Sequence, residues 1–334
     1  MNRFRKKLSG ADENIWNDYY SDELTVQKTT CINCRFEQGK SQHYLDECYF
    51  FNFKDKVINI DGPSGYLILH NRCSFNKVTS NGDGGCIKCV FSNGGSIVQR
   101  KFCCTKCRCS RSGHFAYTDV INEDLNSIIQ GSAFDVGENA DRSVFNLRGN
   151  TIIVSSTNIS LCKTSTDPAG TYTFVEMDSF EGPNVFNYTT VANNSAEYQI
   201  ISFNFNALID TCNFLYSKIT TQDKSIIIHS DGTLSVKSCS FIGNTAPAES
   251  YLILNDGPGS PTLIVDGCYI DDSITNLFGM YGDVEPQNSK QQFINDLNHF
   301  STERCKPLFA KPVETLGVEH ELSLIVISLV SVYR

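Results

Sequence analysis

Two acidic residues, Asp231 in "HSDGT" and Asp256 in "LNDGP", each stand immediately before a glycine. If the fold stacked them, their carboxylates would lie near the ~5–5.5 Å separation of a retaining glycosidase, one serving as acid and the other as nucleophile. Asp271 and Asp272 form a second acidic pair. The competing reading is that Asp before Gly caps its own turn and needs no substrate. Cysteine offers a different chemistry. "CIKC" and "CTKC" give Cys86-x2-Cys89-x14-Cys104-x2-Cys107, close to the two-knuckle spacing of a zinc ribbon. Tetrahedral zinc takes four converging thiolates. A strand, however, puts residues three apart on opposite faces, so Cys86 and Cys89 converge only where the strand breaks. "CINC" (31–34) is a lone pair of cysteines, and the histidines are scattered, with His70 at an inward position where a satisfied core histidine is the default.

The elements that would position these residues come from a repeat. "IDGPSGYLILHNRCSF" (60–75) and "NDGPGSPTLIVDGCYI" (255–270) align without a gap, Cys73 on Cys268 and Phe75 on Ile270. "LSVKSCSFIGN" places Leu234 five before Cys239, Val236 three before, Phe241 two after and Asn244 five after. "ALIDTCNF" and "HYLDECYF" carry the same offsets around Cys212 with Phe214 and Cys48 with Phe50, and "TNISLCKT" gives a weaker copy at Cys162. Stations recur at a mean step of about 27 residues, the mark of a solenoid in which each unit buries its apolar side against its neighbours. Offsets of five, three, zero and two are period 2 broken once, which reads as short strands joined by a bend.

The expectation is an all-β, single-stranded, right-handed parallel β-helix of about nine coils, roughly 43 Å long at the spacing of neighbouring strands. Cys48, Cys73, Cys162, Cys212, Cys239 and Cys268 with Phe50, Phe75, Phe214, Phe241 and Ile270 form its inward ladder, the cysteines acting as small buried apolar groups. Residues 1–30 read as an irregular N-terminal cap, 31–282 as the β-helix, 283–305 as a short capping helix and 306–334 as a linker with a short apolar tail. Phe293, Leu297 and Phe300 supply the helix with one apolar face over the last coil.

Composition bounds the function. The net charge of −9 sets nucleic acid aside as main partner, since phosphate binding needs a basic face. One stretch departs from it: "RKFCCTKCRCSR" (100–111) holds five basic residues and reads as a solvated turn. An odd count of 15 cysteines precludes complete pairing within the chain. Neither a secretion signal in "MNRFRKKLSGADENIW" nor a membrane span in "LSLIVISLVSVYR" is expected, the latter falling short of the ~20 apolar residues a span requires. Acceptor triplets for N-glycosylation stand at Asn158, Asn187 and Asn193.

The motif C-x-F followed three residues later by Asn, as in "CSFIGN", resembles the right-handed parallel β-helix, or pectin-lyase-like, group. "NGDGGCIKC" (81–89) and "SRSGHFAYTDV" (110–120) resemble the repeats of polymorphic-membrane-protein-like chains. The likeness over residues 40 to 305 is nearest to the expanded β-helix surface families of protists such as trichomonads, which implies a cell-surface or extracellular setting. Enzymes of this group include polygalacturonase-like hydrolases with acidic pairs, a GHG triplet and an RIK triplet, a set not found whole here. Pectate-lyase-like catalysis wants an Arg beside calcium-binding carboxylates, and Arg is sparse in the later coils. The leading expectation is therefore a non-catalytic solenoid, without cofactor, whose flank presents side chains to a protein or glycan. A carbohydrate-active enzyme using Asp231, Asp256, Asp271 or Asp272 and a structural zinc protein are the alternatives. Asp210, Lys237 and Asp266, each two before a station cysteine, alternate in sign and read as charge balance along one edge.

Overall fold

The computed structural model describes residues 15–297 except 23, 26–27, 38–40, 63–64, 93, 138–142, 165–174, 179–183, 205, 222–225, 257–261, 272–275, 281–283 and 289–290. Over them the chain winds as an all-β parallel solenoid of about seven turns, fewer than the nine expected. Coils such as Ile58–Gly62, Tyr66–Asn71 and Ser74–Asn76 consist of three strands, each pairing in parallel with its counterpart one coil away. Two strands, Ala116–Ile129 and Phe145–Ser155, run through the first corner without a break.

The offsets seen in the sequence are an inward face read once per coil. Tyr49, Ser74, Cys103, Ser132, Asn158, Thr190, Asn213, Ser240 and Tyr269 stand in register. The residues just before them, Cys48, Cys73, Phe102, Gly131, Thr157, Thr189, Cys212, Cys239 and Cys268, therefore form one column. Cys162 is not among them. Thr157 takes its place, and Cys162 lies in a second corner column with Val78, Cys107, Val136, Asn194, Ser217 and Asn244, linked by backbone bonds from each coil to the next. Threonine substitutes because the column asks for a small side chain that accepts a hydrogen bond. The N–H of Cys212 donates to Cys239 Sγ and that of Cys239 to Cys268 Sγ, both at 3.4 Å, as the N–H of Thr157 does to Thr189 Oγ1 at 3.3 Å.

Phe50 stacks on Phe75 at 5.0 Å between ring centroids and Phe214 on Phe241 at 4.8 Å. Between these stacks one coil exchanges the two columns. Phe102 occupies the cysteine column and Cys104 the phenylalanine column, paired with Phe75 on one side and Ala133 on the other. Gly131 accommodates the exchange, since a Cβ there would come within 2.4 Å of the Phe102 ring.

The bends that aim these columns inward use left-handed backbone at residues that are mostly not glycine. Glu47, Arg72, Lys101, Gln130, Ser156, Tyr188, Thr211 and Ser238 precede the first column with φ of 50–58° apart from Lys101 at 46°. Asn52, Lys77, Lys106, Asp135, Leu161, Asn193 and Tyr216 do the same before the second corner. Such a conformation costs about 1–2 kcal/mol per residue with a Cβ. Here each bend's N–H donates to the next coil, as from Tyr188 to Asp210 O and from Thr211 to Lys237 O.

Both ends differ from expectation. The short helix Ile15–Tyr19 lies on a lateral flank rather than over an end, its Ile15 and Trp16, together with Tyr20, packed against Tyr44, Leu69 and Val98. At the C-terminal side, Val284–Asn288 is a strand pairing with Leu263–Ile270, and residues 291–297 are not helical. The 291–297 segment runs along the short-strand face, where Asn295 exchanges backbone and side-chain bonds with Asn213 and Ser240 Oγ donates to Phe293 O. Stacked edges already bind it there, so the amphipathic spacing of Phe293 and Leu297 does not produce a helix. Phe300 and the tail 306–334 lie outside the described residues. No helix among the described residues is long and apolar enough to cross a membrane.

Candidate functional site

Parallel register turns single outward residues into columns, and two neighbouring columns run the length of one flank. The first is Tyr44, Leu69, Val98, Ser127, Ile153, Val185, Leu208, Ser235 and Ile264. The second is Asp46, Asn71, Arg100, Ile129, Ser155, Asn187, Asp210, Lys237 and Asp266, in the same registers. Over the early coils the N-terminal segment covers both. Trp16 and Tyr20 bury Tyr44, Leu69 and Val98, and Tyr20 Oη donates to Ile68 O at 2.6 Å. Lys28 ion-pairs with Asp46, which also accepts from Asn71 Nδ2 at 2.6 Å and Arg72 Nη2 at 2.7 Å. Burial pushes the Asp46 carboxyl up, but Arg72, Lys28 and Asn71 together outweigh it and hold the group below its usual range.

Over the later coils Ile153, Val185, Leu208 and Ile264 are half-buried, while Lys237 and Asp266 are exposed. From Ile153 to Ile264 is four coil steps, or about 19 Å. An apolar stripe, interrupted once by Ser235, beside a rim charged at Asp210, Lys237 and Asp266 has the anatomy of a recognition surface. Sequence reasoning found the charged column but missed the stripe. Its signal was present: in "ALID" and "LIVD" the apolar residue between two inward ones must face outward.

Asp231 and Asp256 do stand in adjacent coils, because Ser230 pairs with Asn255 immediately before them. Between them sits His229, with Nε2 at 2.8 Å from Asp256 Oδ1 and 3.3 Å from Asp231 Oδ1, and Nδ1 at 3.2 Å from Ser202 Oγ. The imidazole side chain is 12% exposed and the carboxylates 41% (Asp231) and 23% (Asp256). His229 Nε2 thus bridges two stacked carboxylates, and the same three groups could ligate a divalent cation. As glycosidase machinery the arrangement is incomplete, because both carboxylates face one imidazole instead of opposite sides of a sugar bond. Ser202 is buried and offers no accessible nucleophile. Asp271 is engaged in a bend, its Oδ2 accepting the Gly243 N–H at 2.6 Å. Asp272 lies outside the described residues.

Of the four cysteines with knuckle spacing, Cys86, Cys104 and Cys107 converge, their sulfurs all within 4.8 Å of one another, and all three are buried. Cys89 does not join them: it lies inward on a straight strand, in register with Ile60 and Thr118, where burial pushes its thiol far up. The strand that separates Cys86 from Cys89 is unbroken from Ile87 onward, which is why the knuckle does not form. For Cys107, burial raises the pKa, yet thiol donation from Cys104 and Cys86 outweighs it and holds the group well below its usual value. Cys31 and Cys34 are joined by a disulfide.

Cys48, Cys73, Cys212, Cys239 and Cys268 stay buried in their own column, and Cys162 is pushed up to about 12 chiefly by burial. His70 is fully buried against Phe75, Phe102 and Phe115 and contacts Gln99 Oε1 at 3.4 Å. Burial lowers it to about 4 despite that contact. Set against family models, curated proteins and solved structures, the chain matches none of them.

Proposed function

We propose that the protein is a non-catalytic interaction scaffold of the pectin-lyase-like kind, whose flank binds a segment of a partner protein along Ile153, Val185, Leu208 and Ile264. The observation that carries this reading is the continuity of the two outward columns. Where they are covered, the cover is an aromatic and aliphatic segment followed by a lysine, set on Leu69 and Val98 and on Asp46. A partner presenting apolar side chains to Leu208 and a basic group to Asp210 or Asp266 would repeat that arrangement on the later coils. The protein option is preferred to a glycan because the stripe is aliphatic, whereas sugar faces favour aromatic platforms.

The test is selection of displayed peptides on the intact chain. Enriched sequences are expected to carry large apolar residues with a nearby Lys or Arg, and to lose about tenfold in affinity on Leu208→Asp, the equivalent of ~1.4 kcal/mol. Unchanged binding to that variant would remove the stripe from the interface.

A second reading, a carbohydrate-active enzyme, is favoured by one contact, His229 between Asp231 and Asp256. It expects depolymerisation of some member of a polysaccharide panel, abolished by Asp256→Asn. Turnover that survives this change would exclude these carboxylates as its source.

A further inference from the structure

We propose that Cys86, Cys104 and Cys107 form a closed three-thiolate site for one Cu(I) ion. Cys86 opens a coil, immediately before the strand Ile87–Phe91, and Cys104 and Cys107 lie near its end, so the three meet across the coil's interior. An ion about 2.3 Å from each of three sulfurs at the corners of a triangle holds them about 4 Å apart. The observed limit of 4.8 Å needs only a small contraction. Thiolates select soft ions such as Cu(I) and Zn(II). Zinc in a structural site takes four ligands. Among the described residues no fourth His, Cys, Asp or Glu joins the group, and the sulfurs' burial keeps water from the vacant corner. Three soft donors in a dry pocket fit Cu(I) instead.

Two features set this trio apart from the other buried cysteines. Cys104 takes a position filled by phenylalanine in the coil of Phe75 and in those of Phe214 and Phe241, and Phe102 moves aside to make the exchange. The same coil carries Arg100, Lys101, Lys106, Arg108 and Arg111 in a chain whose net charge is −9. Three thiolates and one Cu(I) carry a net charge of −2, opposite in sign to the charged side chains of that coil. Binding displaces the thiol protons to solvent.

The experiment refolds the full chain anaerobically with Cu(I) or with Zn(II), then dialyses against a chromophoric Cu(I) chelator or a zinc chelator. Wild-type protein is expected to retain one Cu(I) per chain, with three sulfur neighbours by X-ray absorption, and to release zinc. Cys104→Ser should weaken retention at least tenfold, while Cys89→Ser, which removes a buried thiol outside the trio, leaves it unchanged. If Cys104→Ser fails to fold, the stoichiometry and sulfur count of the wild type decide alone. Loss of Cu(I) from the wild type, a two-sulfur site, equal retention by both variants, or zinc held with four ligands would each overturn the proposal.

Discussion

The early and later coils share one backbone plan and the same two outward columns, yet their flanks end in opposite conditions. On Leu69 and Val98 the column is sealed by Trp16 and Tyr20, and Asp46 is buried among cations. On Val185, Leu208 and Ile264 it stays half-buried, beside exposed Lys237 and Asp266. The winding therefore does not decide what becomes of an outward apolar residue. A separate segment decides it, and a solenoid's flank is a set of equivalent berths that need not all be filled.

Removing the seal has the largest expected effect. Trp16→Ala should destabilise the protein by about 3–5 kcal/mol, the usual range for deleting a large buried aromatic, measured by chemical denaturation. A change near zero would mean that the helix Ile15–Tyr19 is not held on the flank. Next comes pH, acting through His70 beneath the sealed half. Burial holds its folded pKa at about 4, against an ordinary imidazole value of about 6.5. Below the latter the unfolded chain takes up a proton that the folded chain refuses. Its contribution is full above pH 6.5 and is lost as pH falls toward 4, amounting to about 3 kcal/mol. His70→Gln should flatten that slope in denaturation curves collected at several pH values.

On the open half the effects shrink. Lys237→Asp would stack three carboxylates, at positions 210, 237 and 266, and should cost about 0.2–1 kcal/mol, less in high salt. Leu208→Asp, which gives up only the buried half of a leucine side chain, should cost about 1 kcal/mol or less, while still damaging partner binding. A large loss of stability there would show the two halves to be sealed alike.

The fold was legible because inward residues recur with period 2 around Cys212, Cys239 and Cys268, and burial enforces that period. Legibility failed where another residue met the same physical demand. Thr157 and Thr189 accept from Gly131 and Thr157 N–H the hydrogen bond that a cysteine sulfur accepts elsewhere, so the cysteine motif is missing from those coils and Cys162 belongs to another corner. The thiol trio was half visible: spacing drew attention to four cysteines, but only winding could tell that Cys89 faces another rung. The seating of Trp16 left no local signal, since its partners Leu69 and Val98 belong to distant parts of the chain. Helical spacing misled at Phe293 and Leu297, because edge hydrogen bonds to Asn213 outrank an amphipathic pattern over so few residues.

The left-handed bends carry a consequence for how such a molecule can grow. Residues as unlike as Glu47, Lys101, Tyr188 and Thr211 occupy the same bend, because the next coil's carbonyl, and not the side chain, holds the backbone there. A whole loop of chain duplicated between two bends would inherit its corners without new instructions. Length is thus the property of this rod most open to change, and each added layer would extend the half-buried berths by one step.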